Sequence, residues 1–254
     1  MRFRFRLRVI PLVATVVLVA LGIALGNWQM RRAVEKIAIA GAISRQGELP
    51  SLVIGDHGGV GELDRVGTSA LRGPAHPTYR RIQVTGEFVK NWPVFLDNRP
   101  YGGRAGFYLA MPFRIAGSDM HVLVLRGWLP RDPREYGKLP DYATPAGATT
   151  IEGIVVDKAG HVMQLGEPGA PTPGAIVQNL EIEQMARASG LRFLPWFVQQ
   201  SGAQAGDPLV RDWPAPDLGV DKHRGYAVQW YALAAMAALF FVITGWRSGR
   251  KQVE

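Results

Sequence analysis

The 254-residue chain is 47% hydrophobic, carries a formal charge of +8 and contains no cysteine. The missing cysteines exclude disulfides, CxxC redox chemistry, thiolate metal centres and covalent CxxCH haem attachment. The positive charge does not mark a nucleic-acid binder: residues 33–221 hold 18 Lys+Arg against 20 Asp+Glu, so the excess lies at the two ends.

Those ends carry the two most apolar runs, residues 9–28 and 227–246, neither with a charged side chain. At ~1.5 Å per residue each crosses a hydrocarbon core ~30 Å thick. The predicted layout is a tail over 1–8, a transmembrane helix over 9–28, a domain over 29–226, a second helix over 227–246 and a tail over 247–254. Arg2, Arg4, Arg6 and Arg8 precede the first run, and Arg247, Arg250 and Lys251 follow the second. The positive-inside rule puts both tails in the cytoplasm, since a loop as long as the domain translocates whatever charges flank it. A bacterial inner membrane with a periplasmic domain is the expected setting. A cleaved signal peptide ending near Ala24 and Gly26 is the competing reading of the first run. Its apolar stretch, about 17 residues over 9–25, exceeds the usual 7–15 and favours an uncleaved anchor.

Beyond the first span, Val34, Ile37, Ala38 and Ile43 recur at helical spacing and extend the helix over 31–46. Residues 55–77, rich in Gly and turn formers, read as an irregular loop. Strands are predicted over 79–88, with Gly86 as a bulge, and over 92–98, 106–113, 121–128 and 149–157, arranged as an antiparallel meander. A proline-punctuated excursion covers 130–145, and a short strand covers 176–179. A helix over 180–190 has Asn179 as its cap, Glu181 and Glu183 in its first turn and Gly190 at its end. The run FLPWFVQQ, 193–200, reads as an edge strand because of Pro195. The expected fold class is an α+β membrane protein: two transmembrane helices flanking a mainly antiparallel β extracytoplasmic domain.

No GxSxG, HExxH, P-loop or GxGxxG motif occurs, and PYGGRAG fits a hairpin turn better than a phosphate loop. His57, His76, His121, His161 and His223 are scattered without metal-ligand spacing. Asp97, Asp119 and Asp132 stand singly, as turn formers do. The expectation is a protein that is not an enzyme. Arg99 and Arg126, at strand ends, either pair inside the domain or recognise an anionic group such as a propionate or a partner's carboxylate.

The first span contains GIALG, a GxxxG pattern, and the second carries Ala227, Ala234, Ala235 and Ala238. Small residues allow close helix approach, although lipid exposure explains them equally well. His223, in HRGYAVQW, stands before the second span, where a histidine is either a solvated interfacial residue or a ligand. On a helix, Tyr226, Ala227 and Trp230 share its face at i+3, i+4 and i+7.

GNWQMRR, YRRIQVTGEF, NRPYGGRAGFYLAMPF, VLVLRGWLP, LEIEQMARASG and HRGYAVQWYAL resemble, in the same order, segments of the surfeit locus protein 1 family, the assembly factors of haem–copper cytochrome c oxidases. The match runs from one span to the other. Leu125 departs from an asparagine frequent in that family before Arg-Gly. The resemblance implies a chaperone-like role in which haem a, transiently bound, reaches subunit I of the oxidase. It also implies that His223 is the residue that ligates the haem iron. Tyr226 and Trp230 would then line the cofactor with Trp28 and Gln29 from the first helix, Trp28 serving either as an interfacial belt residue or as a wall of the cleft. Implied partners are subunit I and the haem a synthesis machinery. A membrane scaffold that binds oxidase subunits without binding haem is the alternative. With the family set aside, a two-helix sensor or transporter accessory is the third reading, weakened by the short tails.

Overall fold

The computed structural model describes residues 8–55, 77–135, 137–164, 166, 169–202, 206–214 and 218–250. His57, His76, nearly all of the predicted 55–77 loop, residues 1–7 of the first tail and 251–254 of the last lie outside them. Contacts divide the chain into two compact units, one of residues 1–42 with 215–254, the other of residues 43–214.

The first unit is built on two helices. Helix α1, Val9–Glu48, is continuous across the apolar run and the amphipathic stretch after it. Its one proline, Pro11, falls in the first turn, where no intrahelical N–H is needed. At ~1.5 Å per residue its 40 residues extend about 60 Å, twice the hydrocarbon thickness. Helix α3, Val220–Arg250, begins two turns before the apolar run it was expected to coincide with. Both helices are long and apolar enough to cross a membrane.

Among its described residues the second unit contains eight strands: β1 Leu52–Ile54, β2 Arg81–Phe88, β3 Val94–Leu96, β4 Gly106–Ile115, β5 Met120–Pro130, β6 Thr149–Val156, β7 Ile176–Val177 and β8 Arg192–Gln200. The order is β1-β2-β6-β8-β5-β4-β3-β7, and a further β2–β4 pairing closes the central five strands into a barrel. Closure is possible because β4 is long: Tyr108–Ala110 partner β3, whereas Phe113 and Ile115 face Phe88 and Gly86 of β2. Pairings β2–β6, β6–β8, β4–β5, β3–β4 and β2–β4 are antiparallel. The meander expectation misses the other three, β1–β2, β5–β8 and β3–β7, which are parallel.

Side-chain alternation fills the barrel. Ile82, Val84 and Phe88 of β2, Ile151 and Val155 of β6 and Trp196 and Val198 of β8 join one buried cluster with Met111, Phe113 and Val124. Strands β4 and β5 are buried on both faces. Their outer side chains, Ala110, Leu123 and Leu125, belong to a second cluster with Ile182 and Met185 of helix α2, Ile182–Ser189. This second layer explains why GFYLAMPF and HVLVL read as continuous apolar runs rather than alternating ones.

Three local expectations are corrected. Strand β8 is interior, between β6 and β5. Pro195 is tolerated because the register jumps from His121↔Phe193 to Leu123↔Phe197, and β6 pairs only from Phe197 onward. No ladder bond is therefore asked of the proline. Gly86 is not a bulge, since β2 and β6 pair without a shift from Arg81 to Gly86. It is a close approach: a Cβ there would strike the Arg114 carbonyl and stand 2.8 Å from the Phe113 ring. Asn179 does not cap α2, whose N-cap is Glu181. The Asn179 amide instead receives the Val162 N–H at 3.0 Å and donates to the Val162 carbonyl and to Gln164. Gly190 does end the helix, in the left-handed conformation, with its N–H on the Ala186 carbonyl at 3.0 Å.

Candidate functional site

The site builds up from the small residues of the two long helices. Gly22, Gly26 and Ala33 are the buried residues of α1, while Ala227 and Ala234 are buried on α3. They form a seam. A Cβ added at Gly22 would stand 2.9 Å from both the Ala234 Cβ and the Trp230 carbonyl oxygen, and one at Gly26 would collide with the Tyr231 ring. The GxxxG pattern is thus the contact surface for α3. Small side chains let the backbones approach, and dispersion does the rest, because lipid offers no hydrophobic drive between helices.

Hydrogen bonds between side chains cross this seam. The Tyr231 hydroxyl donates to Asn27 Oδ1 at 2.7 Å, and His223 Nδ1 lies 2.7 Å from Gln29 Oε1. An amide oxygen only accepts, so Nδ1 carries the hydrogen in this contact. Nε2 of a neutral ring then keeps its lone pair. His223 lies in the first turn of α3, its N–H on the Gly219 carbonyl at 3.2 Å, and is half-buried like Gln29. Asn27 and Tyr231 were not singled out from the sequence. Their signal was a polar atom inside each apolar run, which calls for a partner in hydrocarbon.

Of the five predicted site residues, His223 and Gln29 touch across the seam, and Trp230 reaches it through its backbone carbonyl opposite Gly22. Trp28 is 47% exposed and Tyr226 53% exposed. At 100° per residue, Trp28 points roughly 130° around α1 from the seam, and Tyr226 roughly 80° around α3. A shallow depression of about 530 Å³, lined by Asn27, Met30, Arg31, Val34 and Glu35, follows a further side of α1, away from Gln29.

Arg126 and Arg99 are buried inside the β unit. Arg126, fully buried, donates to Thr144 Oγ1 and the Ala143 carbonyl, each at 2.9 Å, and lies 3.6 Å from Asp207. Its guanidinium sits 4.6 Å from the centre of the Phe88 ring. Burial pushes its pKa down to about 10, against the pull of Asp207. Asp207 is also paired with Arg211, whose Nε donates to the Arg126 carbonyl at 2.8 Å. Gly127 leaves room for this strap, since a Cβ there would meet that of Leu209 at 2.8 Å. Arg99 donates to the carbonyls of Asp97, Gly160 and Gln178 at 2.6–3.0 Å. These contacts support the pairing of both arginines inside the domain, with the Nε of each left as a buried atom that makes no hydrogen bond among the described residues. Gly102 and Gly103 form the expected hairpin turn, with Tyr101 and Arg104 exchanging backbone bonds at 3.0 Å. Among the described residues, no three of His, Asp and Glu cluster closely enough to hold a metal ion.

Comparison with known proteins gives two matches. The model of the SURF1 family matches residues 16–235. A SURF1-like protein of Caenorhabditis briggsae is similar, at 22% identity over 246 residues, covering 88% of this chain and 71% of that protein.

Proposed function

Because the chain belongs to the SURF1 family, a family of cytochrome oxidase assembly factors, we propose that it binds haem a and assists its placement in subunit I of a haem–copper cytochrome c oxidase. His223 is the iron ligand in this reading. The observation that carries it is the 2.7 Å contact from His223 Nδ1 to Gln29 Oε1. Histidines that bind metals donate their second ring N–H to a carbonyl or carboxylate, which sets tautomer and orientation. The donor set therefore fits. When bound, haem a would supply an iron able to take a neutral imidazole such as that of His223 as a ligand.

Trp230, on the seam one turn deeper than Tyr226, offers an apolar wall, while Tyr226 and Trp28 flank the helix pair. Residues 9–28 of α1 and 227–246 of α3 cross the bacterial inner membrane, with tails 1–8 and 247–254 cytoplasmic and 29–226 periplasmic. His223 then stands at the outer membrane face, where a haem could pass sideways to subunit I from the haem a synthesis machinery. The protein performs no catalysis in this role.

A scaffold that binds oxidase subunits without haem is the second reading, favoured by one observation. Trp28, Tyr226 and the Met30–Val34 depression face outward instead of converging on His223. The protein purified from cells that make haem a separates the two. A Soret band near one haem per chain supports the first, and its absence with oxidase binding intact supports the second.

A further inference from the structure

We infer that Gln29 is a positioning residue: its side-chain carbonyl holds His223 in the Nδ1–H tautomer and so reserves Nε2 as the ligand atom. The inference rests on the reading of His223 as the haem ligand. One contact, one intrinsic preference of the imidazole and one feature of the topology carry it. The Gln29 oxygen is already engaged by the ring at 2.7 Å, so it is the imidazole that Gln29 contacts. In free histidine the Nε2–H tautomer predominates, so an acceptor at Nδ1 reverses the intrinsic preference and exposes the lone pair on the other nitrogen. The two residues come from helices 194 positions apart in sequence, so the lock exists only when the seam is formed.

The seam supplies the register. Gly22 and Gly26 leave room for Ala234 and Tyr231, and the Tyr231–Asn27 hydrogen bond pins the helices about half a turn from Gln29. Asn27 and Gln29 are two residues apart on α1 and meet Tyr231 and His223, two turns apart on α3. A slip of either helix by one turn, about 5.4 Å, breaks both bonds. Ligand competence of His223 is thereby tied to correct pairing of α1 with α3.

The test uses the full chain in lipid nanodiscs and has two arms. Without haem, nitrogen-15 spectra of histidine-labelled protein, assigned with His223→Ala, should show His223 as the Nδ1–H tautomer, and Gln29→Leu should shift it to Nε2–H. An Nε2–H ring in the wild type, or no change in Gln29→Leu, overturns the inference. With haem a bound, Gln29→Glu should lower the reduction potential and raise the iron–histidine stretching frequency, because a carboxylate draws the Nδ1 proton harder. Gln29→Leu should move both the other way. If His223→Ala keeps its haem, the haem reading itself fails. If His223→Ala loses haem while both Gln29 variants keep wild-type potential and frequency, only the positioning role fails.

Discussion

Gly22 and Ala234 meet with no space between them: a Cβ on the glycine would stand 2.9 Å from that of the alanine. A disulfide needs about 3.8 Å between Cβ atoms, so a small parting of the helices accommodates one. The chain has no cysteine of its own. Gly22→Cys with Ala234→Cys should therefore oxidise to an intramolecular bridge, visible as a gel shift reversed by reductant. Adding Gly26→Leu, which drives a side chain into Tyr231, should lower the bridged fraction severalfold. A pair that never bridges means that α1 and α3 do not pack along this face.

For His223, replacement by Ala should remove most bound haem while the protein remains inserted and folded. The ring sits half-buried in the first turn of α3, so its loss opens no core cavity. Replacement by Met, whose thioether also ligates iron, should retain some haem with a shifted spectrum. Arg224→Ala is the control. Its ion pair with Asp221 is 3.8 Å long and solvent-exposed, so little should change. Haem content that falls only in step with protein level would count against ligation.

Asp207 and Asp119 make opposite predictions from similar pairs. Asp207→Ala leaves Arg126 and Arg211 buried side by side without their shared carboxylate. Removing one partner of a buried pair costs about 3–5 kcal/mol. Asp119→Ala breaks a 2.5 Å pair with Arg192, but both side chains are about 70% exposed, and such pairs contribute ~0–1 kcal/mol. Denaturant unfolding of the solubilised full chain, followed by tryptophan fluorescence, should separate the two variants clearly. Equal losses would contradict the buried cluster.

His121 predicts a pH dependence. Burial lowers its pKa below the ordinary value, the hydrogen bond to the Arg192 carbonyl only partly opposing this. Below about 6.5 the unfolded chain takes up a proton that the folded state resists. The stability from the neutral ring is therefore complete above that pH and is lost as pH falls through the lower, folded value. Melting temperature should drop between pH 7.5 and 5.5, and His121→Gln should flatten the drop. An unchanged slope would place the acid sensitivity elsewhere.

Much of this was legible in one dimension. The strand windows reappear within a few residues, because in/out alternation and turn glycines are local signals. The same holds for the hairpin at Gly102–Gly103 and the left-handed Gly190, whose conformations are set by their own backbones. Where local rules failed, a neighbour in space intervened. Pro195 sits in an interior strand because β8 bulges out of register with β5 there, and Asn179 serves residues 162–164 rather than its own helix.

Local patterns along the chain dictate the set of elements: two span-length helices, a run of strands and a histidine near the start of the second span. Each follows from residues within a few turns of one another. The tertiary structure alone decided the barrel closure through Phe88 and Phe113, the Asp207 partner of Arg126 and the pairing of Gln29 with His223. Those partners are 25, 81 and 194 residues apart. A polar or apolar side chain announces that it needs a partner, through the cost of leaving it unmatched, but not which one. Packing of the whole chain makes that choice.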